Sequence, residues 1–173
     1  MPKIYFIDVT NRDGVQTANL GLSKLEKTMI NMYLNKMGIF QSEFGFPTTR
    51  HESLYLQANL ELAEMGILKP IRLEGWIRAT VADVETALRL VPNIRHLNLS
   101  ISTSNQMING KFRGTKNRED ILNMMVDAVE AARSYGAKSI GVNAEDASRT
   151  DIDFLVKFGL AAKEHGAHRL RYC

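Results

Sequence analysis

Ile4-Tyr5-Phe6-Ile7-Asp8-Val9-Thr10-Asn11-Arg12-Asp13-Gly14-Val15-Gln16 is the stretch from which the fold can be read. Its apolar start is β-branched and aromatic and runs into turn chemistry, which predicts a short buried strand. Directly behind it come a guanidinium, carboxylates and an amide around one glycine, Gly14, suited to a sharp turn or a close approach to a ligand. A strand end so equipped can hold a cation and a bidentate oxyanion together. The competing reading is a polar surface turn in which Arg12 and Asp13 merely pair.

The remainder of the chain repeats this strand-and-turn unit. Strand-like runs at Ile4–Val9, Gln41–Phe44, Ile71–Ile77, Ile94–Ile101, Lys138–Val142 and Arg169–Tyr172 alternate with amphipathic segments. Those segments are Lys24–Met37, Glu52–Met65, Val81–Leu90, Arg118–Tyr135 and Asp151–Glu164. Six strands and five helices, strand first, predict right-handed βαβ units and a parallel sheet. Helix starts are expected at Ser23 with Glu26, Thr49 with Glu52, Thr80 with Asp83, Asn117 with Asp120 and Thr150 with Asp153. Each pairs a capping oxygen with an acid at the positive end of the helix dipole. Gly38, Gly66, Gly136 and Gly166 fall where a left-handed residue would close a helix, and Pro92-Asn93 ends the third.

No G-x-G-x-x-G follows the first strand and no P-loop is present, which argues against a nucleotide-binding doubly wound sheet. In a (β/α)8 TIM barrel, chemistry gathers on the loops at the C-terminal ends of the strands, where the polar clusters of this chain fall. Such a barrel takes about 250 residues and eight strands. The 173 residues are therefore expected to be the N-terminal portion of a TIM-barrel catalytic domain. No internal linker or composition break divides them.

Composition narrows the function. Apolar residues make up 45% and charged residues 24%, as in an ordinary globular protein. A net charge of +3 with interspersed signs makes no case for nucleic acid. Neither a membrane-length apolar run nor a signal-peptide pattern occurs. The single Cys173 excludes an internal disulfide and fits a reducing cytoplasm.

Each strand end contributes a candidate. Arg12 could stabilise an enolate or carbonyl oxygen, Asp13 could bind a divalent cation, and Gln16 could hydrogen-bond an acid substrate. Glu43 lies in an apolar strand, where a carboxylate needs a cation, and Arg12 of the adjacent strand is the natural one. Arg78 could bind a substrate carboxylate or serve a rim salt bridge. Ser102, in the hydroxyl-rich run Ser100–Asn105, could donate to substrate oxygens or be part of a simple polar loop. Glu145 is the candidate for acid/base work or for organising water, supported by Asp146, Ser148 and Arg149. The four histidines show no metal-ligand spacing, and His51 and His165 read as structural. Met29, Met32, Met37, Met65, Met124 and Met125 read as core filler on helices.

These residues resemble those of the acetyl-CoA-dependent Claisen-condensing family, which comprises the homocitrate, 2-isopropylmalate and Re-citrate synthases. The family's first-strand signature, D-[TS]-T-L-R-[DE]-G-E-Q, stands here as Asp8-Val9-Thr10-Asn11-Arg12-Asp13-Gly14-Val15-Gln16. Glu43-Phe44-Gly45-Phe46-Pro47, Ser102-Thr103-Ser104 and Ala144 through Asp151 follow in family order. Val9, Asn11 and Val15 depart from it, and Met107 stands where the family often has His. The Asn-Arg-Asp-Gly-Val-Gln form is most similar to the Re-citrate synthase branch.

The resemblance implies a cytoplasmic acyltransferase, a homodimer acting on small molecules, that condenses acetyl-CoA with a 2-oxo acid and releases CoA. Oxaloacetate giving citrate is the favoured acceptor, and 2-oxoglutarate giving homocitrate the next. The alternatives are a 2-isopropylmalate or citramalate synthase, a metal-dependent aldol-type lyase of the same superfamily, and a half-barrel binding module without catalysis. It further implies that Arg12 is the catalytic arginine, Asp13 a ligand of Mg, Mn or Zn, Glu43 the partner of Arg12 and Glu145 an active-site acid. The family's His-x-His metal pair follows the seventh strand, so these 173 residues alone are expected to be inactive.

Overall fold

The computed structural model describes residues 2–173. Its strands are β1 (Ile7–Asp8), β2 (Gln41–Gly45), β3 (Arg72–Arg78), β4 (His96–Ser102), β5 (Ser139–Glu145) and β6 (Arg169–Tyr172). Its helices are α1 (Lys24–Lys36), α2 (Arg50–Glu64), α3 (Val81–Leu90), α4 (Asn105–Phe112), α5 (Arg118–Ser134) and α6 (Ile152–Glu164). The sheet order is β1-β2-β3-β4-β5-β6, with β1/β2, β2/β3 and β5/β6 parallel. Each strand lies beside its successor and a helix crosses over between them, which is the α/β TIM-barrel arrangement the alternation predicts. Among the described residues no helix is long and apolar enough to cross a membrane.

The chain forms two compact units, Met1–Trp76 with Ala87–His96 and Ile77–Thr86 with Leu97–Cys173. In the first, every residue of β2 is buried. Phe44, Leu56, Leu68 and Ile94 pack there without solvent exposure. Gly45 makes the packing of α2 on β2 possible. A Cβ at that position would lie 2.8 Å from Leu56 Cδ2 and 2.7 Å from Glu52 Oε2. Behind this apolar layer runs a buried amide network centred on Asn31 of α1. Asn31 Oδ1 accepts from Asn11 Nδ2 and Ser42 Oγ, each at 2.9 Å. Its Nδ2 donates to Tyr55 Oη at 3.0 Å and Asn59 Oδ1 at 2.9 Å. Both ends of the amide are thereby saturated, the condition under which burying it is tolerable. The second unit has an apolar core of Leu97 and Leu99 on β4, Ile121, Met125 and Val129 on α5, Ile140 and Val142 on β5, and Phe158 on α6, all without exposure.

Capping follows local chemistry at α1 and α5, where Ser23/Glu26 and Asn117/Asp120 form reciprocal capping boxes. Asp83 N–H donates to Thr80 Oγ1 at 3.2 Å at the start of α3. The other two expectations are corrected. Thr49 makes no side-chain cap: its hydroxyl donates to Phe46 O at 3.3 Å, and the Glu52 carboxylate is drawn to Lys27 Nζ at 2.5 Å and Phe46 N–H at 2.8 Å. Asp151, one residue beyond Thr150, caps α6 through Phe154 N–H. The Thr150 hydroxyl is engaged instead with Thr103 Oγ1 at 2.7 Å and Asp146 O at 3.0 Å.

Three further expectations change. The first strand is two residues long, and Ile4, Tyr5 and Phe6 are 78%, 51% and 69% exposed rather than buried. Among the described residues β1 has a strand on one side only, so the apolar run lacks the second neighbour that would bury it. Of the methionines read as core, only Met125 is fully buried, and Met29, Met37 and Met65 stand on exposed faces. Helix α4 is an element beyond the expected five, begun by Ser104 Oγ accepting from Met107 N–H at 3.2 Å.

Asn31→Ala leaves four partners without their buried hydrogen bonds and is expected to lower stability by about 2–4 kcal/mol. Ser23→Ala, at an exposed cap, is expected to cost about 1 kcal/mol. Equal midpoints in urea for the two variants would show that the network carries no special weight.

Candidate active site

The turn after β1 is built from its own backbone. Asp8 accepts from Thr10 N–H and Thr10 Oγ1, both at 3.0 Å. The Asp13 and Gly14 N–H groups return to Val9 O at 2.8 and 3.2 Å. Asn11, fully buried, anchors the turn to α1 through Lys27 O and Asn31 Oδ1. With both flanks held, Arg12 is directed at β2, where its Nε donates to Glu43 Oε1 at 2.6 Å. The Arg12 side chain is 15% exposed and that of Glu43 is 0%. A buried carboxylate is costly without a cation, and removing one member of such a pair costs about 3–5 kcal/mol. The guanidinium also lies over the Trp76 ring, 4.8 Å from its centroid, while Nη1 reaches Asp13 Oδ1 at 3.0 Å. Its plane and heading are therefore set by three groups.

Arg12, Gln16, Phe46, Thr49, His51 and Trp76 line one cavity of about 320 Å³. Gln16 is exposed on its wall. His51, which reads as structural in the sequence, sits on the first turn of α2 and is also on this wall; its place in the cavity is a tertiary fact without a local signal. Asp13 is 58% exposed and has one carboxylate oxygen on Arg12. Among the described residues no three His, Cys, Asp or Glu side chains stand together as a metal site. Asp13 is a lone candidate ligand here, and the residues present do not make up a donor set.

The second unit holds a separate cluster. β5 runs to Glu145, three residues past its expected end, because Asn143 Oδ1 is paired with Asn98 Nδ2 at 3.1 Å and Ala144 pairs with Tyr172 of β6. Glu145 thus leaves the strand at its final residue. Its Oε2 accepts from Ser102 Oγ at 2.7 Å and Lys111 Nζ at 2.6 Å, and Lys111 Nζ also donates to Ser102 Oγ at 3.1 Å. Burial pushes the Glu145 carboxyl up, but the hydrogen bonds from Lys111 and Ser102, with the Lys111 charge, outweigh it and hold the group below the usual carboxylate range. Asp146 follows in the left-handed conformation at φ 62°, a geometry that Asp tolerates better than most side chains. It is held by Ser104 Oγ and by Arg149, whose Nη2 lies 2.7 Å away. These hydrogen bonds, Arg149 first, keep the Asp146 carboxyl below its ordinary value. Ser148 lies on the same short turn, Ala147–Arg149.

The structure brings Arg12, Asp13 and Glu43 together in one unit, and Ser102 and Glu145 together in the other. Arg78 takes the salt-bridge alternative: its Nε and Nη2 bind Asp83 at 2.8 and 2.7 Å. Lys111 escaped the sequence reading because α4 did. The signal available was Ser104 three residues before Met107, with Ile108 as the buried position and lysine on the next turn.

Comparison with known proteins adds the family. The HMGL-like family profile matches residues 3–173. The chain is 69% identical over 173 residues to a citrate (Re)-synthase of Dehalococcoides mccartyi. It is 39% identical over 170 residues to 2-isopropylmalate synthase 2 of Caldanaerobacter subterraneus. All of this chain aligns in the first comparison and 98% in the second, but it spans only 42% of the length of either relative. Among solved structures, the HMG-CoA lyase of Bacillus subtilis superposes with a TM-score of 0.71 over 98% of this chain and 57% of that one. At 17% identity that likeness concerns the fold alone. On the match across nearly its full length and on the strength of these relatives, the chain belongs to the HMGL-like family.

Proposed function

We propose that this chain is the N-terminal portion of the catalytic domain of a synthase that condenses acetyl-CoA with a 2-oxo acid, with oxaloacetate as the favoured acceptor and citrate as product. The observation that carries the reading is the Arg12 guanidinium, fixed by Glu43, Asp13 and Trp76 on the wall of a cavity. The 69% identity to a citrate (Re)-synthase supports oxaloacetate over 2-oxoglutarate. The 2-isopropylmalate synthase relative keeps branched 2-oxo acids as the comparison substrates.

In this reaction the acetyl methyl loses a proton, its carbon bonds to the keto carbon, and hydrolysis of the thioester releases CoA. Negative charge gathers on the keto oxygen as the C–C bond forms. An arginine has five N–H donors, and Nε and Nη1 of Arg12 are engaged with Glu43 and Asp13. The remaining donors face this charge in a plane already set, so no reorientation is needed when the charge develops. Glu43 positions Arg12 by holding Nε. Gln16 is suited to hydrogen-bond the acceptor acid from the cavity wall. Arg78 would bind a substrate oxygen through the guanidinium N–H groups that Asp83 leaves open. Ser102, whose one O–H is given to Glu145, would bind substrate through its oxygen or by exchanging that bond. Glu145 would accept a proton or hold a reacting hydroxyl.

A divalent cation in the complete protein would act as a Lewis acid on the keto oxygen, and Asp13 is the ligand this segment offers it. The complete protein is proposed to be a cytoplasmic homodimer that acts on small molecules without nucleic acid or membrane. CoA release assayed with oxaloacetate, 2-oxoglutarate, 2-oxoisovalerate and pyruvate tests the reaction. Release with oxaloacetate alone is the expected result. Inertness toward all four acids, with cleavage of a hydroxyacyl-CoA, would make the protein a lyase instead.

Arg12→Ala in the complete polypeptide is expected to lower kcat about 10²–10³-fold, as for loss of one oxyanion donor. A rise in KM alone would reassign Arg12 to ground-state binding. Asp13→Asn is expected to weaken divalent-metal binding measured by calorimetry and to abolish turnover. Unchanged metal affinity would place the ion elsewhere.

A further inference from the structure

Helix α4 delivers to Glu145 a cation that the proposed reaction leaves unused. Lys111 Nζ, Ser102 Oγ and Glu145 Oε2 form a closed triangle with sides of 2.6, 2.7 and 3.1 Å. Both donors converge on Oε2, which leaves the lone pairs of Oε1 outside the triangle. The backbone beneath is tied as firmly: Thr103 N–H and Thr103 Oγ1 both donate to Glu145 O, at 3.0 and 3.2 Å. The charged groups facing Glu145 are Lys111 from α4 and Asp146 beside it. Asp146 is itself bound by Arg149. One acid adds repulsion and one lysine adds attraction, but only the lysine is in contact.

We infer that Lys111 is a positioning residue that keeps Glu145 an ionised acceptor, with Ser102 fixing the carboxylate plane so that Oε1 is left as the accepting oxygen. This rests on the role proposed for Glu145 in the reaction and specifies which half of acid/base work it performs. A carboxylate whose second oxygen is held by an ammonium and a hydroxyl is a poor proton donor near neutral pH. It is suited to receiving a proton, or to holding a water or hydroxyl by its hydrogen. Ion pairing of this kind favours the charged form and hydrogen bonds to that form favour it further. With the Lys111 side chain 49% exposed, the attraction is partly screened and its hold on Glu145 should weaken in salt.

The test uses Lys111→Met and Lys111→Arg in the complete polypeptide, with Glu145→Gln beside them. For Lys111→Met, the acidic limb of kcat/KM against pH is expected to move to higher pH, with a tenfold or greater loss of activity below the wild-type limb. Lys111→Arg is expected to restore the limb, which a merely structural role for the lysine would not require. An acidic limb that stays in place in Lys111→Met, or activity near neutral pH that rises, would overturn the inference; the rise would mean Glu145 acts as a proton donor. Titration of the Glu145 carboxyl by 13C NMR in wild type and Lys111→Met reads the same coupling without turnover. If Glu145→Gln keeps full activity, the assignment of Glu145 to the reaction fails, while the NMR titration still decides whether Lys111 controls its ionisation.

Discussion

A carboxylate at zero exposure inside a parallel strand constrains everything near it. Glu43 sits in β2 among Phe44, Gln41 and Ser42, where an unpaired charge would cost several kcal/mol. A cation for it comes from a turn thirty-one positions earlier, so Arg12 ties the fold around β2 to the turn after β1. Asn11 secures this placement from the other side. Its amide is locked to α1, so the turn cannot swing outward and take the guanidinium along. Stability and site geometry thereby share one interaction: the ion pair that offsets the burial of Glu43 also aims Arg12.

The second unit solves a comparable problem at the surface. Glu145 is half-buried, and its partners come from the end of β4 and from the helix that follows it. Because its folded value lies below the usual one, its pairing contributes stability above the unfolded carboxylate value, and that contribution is lost as pH falls through the folded value. Asp146, in its left-handed conformation, would strain the turn if left alone, and the Arg149 and Ser104 contacts hold it there. In each unit a carboxylate near a strand end is matched to a cation from another element.

Much of this was legible residue by residue. The Ser23/Glu26 and Asn117/Asp120 capping boxes need only a single turn of chain, so their spacing was sufficient to place α1 and α5. The Arg12–Glu43 pair followed from charge balance, since an acid within an apolar strand demands a cation and the adjacent strand offered one. Thr49/Glu52 shows where that logic stops. The same local pattern was present, but Lys27 and the Phe46 N–H compete for the carboxylate, and neither belongs to the helix that Thr49 would cap. Arg78 is the intermediate case, in which both partners lie on one strand–helix turn and the bidentate contact to Asp83 prevails.

The order of strands and helices, the acids and arginine at the strand ends and the family signature were determined by the linear chain, because periodicity, capping and turn chemistry act over a few residues. The length of β1, the reach of β5 to Glu145 and the meeting of Lys111 with Glu145 were decided by tertiary structure. Those depend on which neighbours a strand acquires and which donors reach a carboxylate first, and both are properties of distance in space. Thirty-four positions separate Lys111 from Glu145 along the chain, and 2.6 Å separates their charged atoms in the fold.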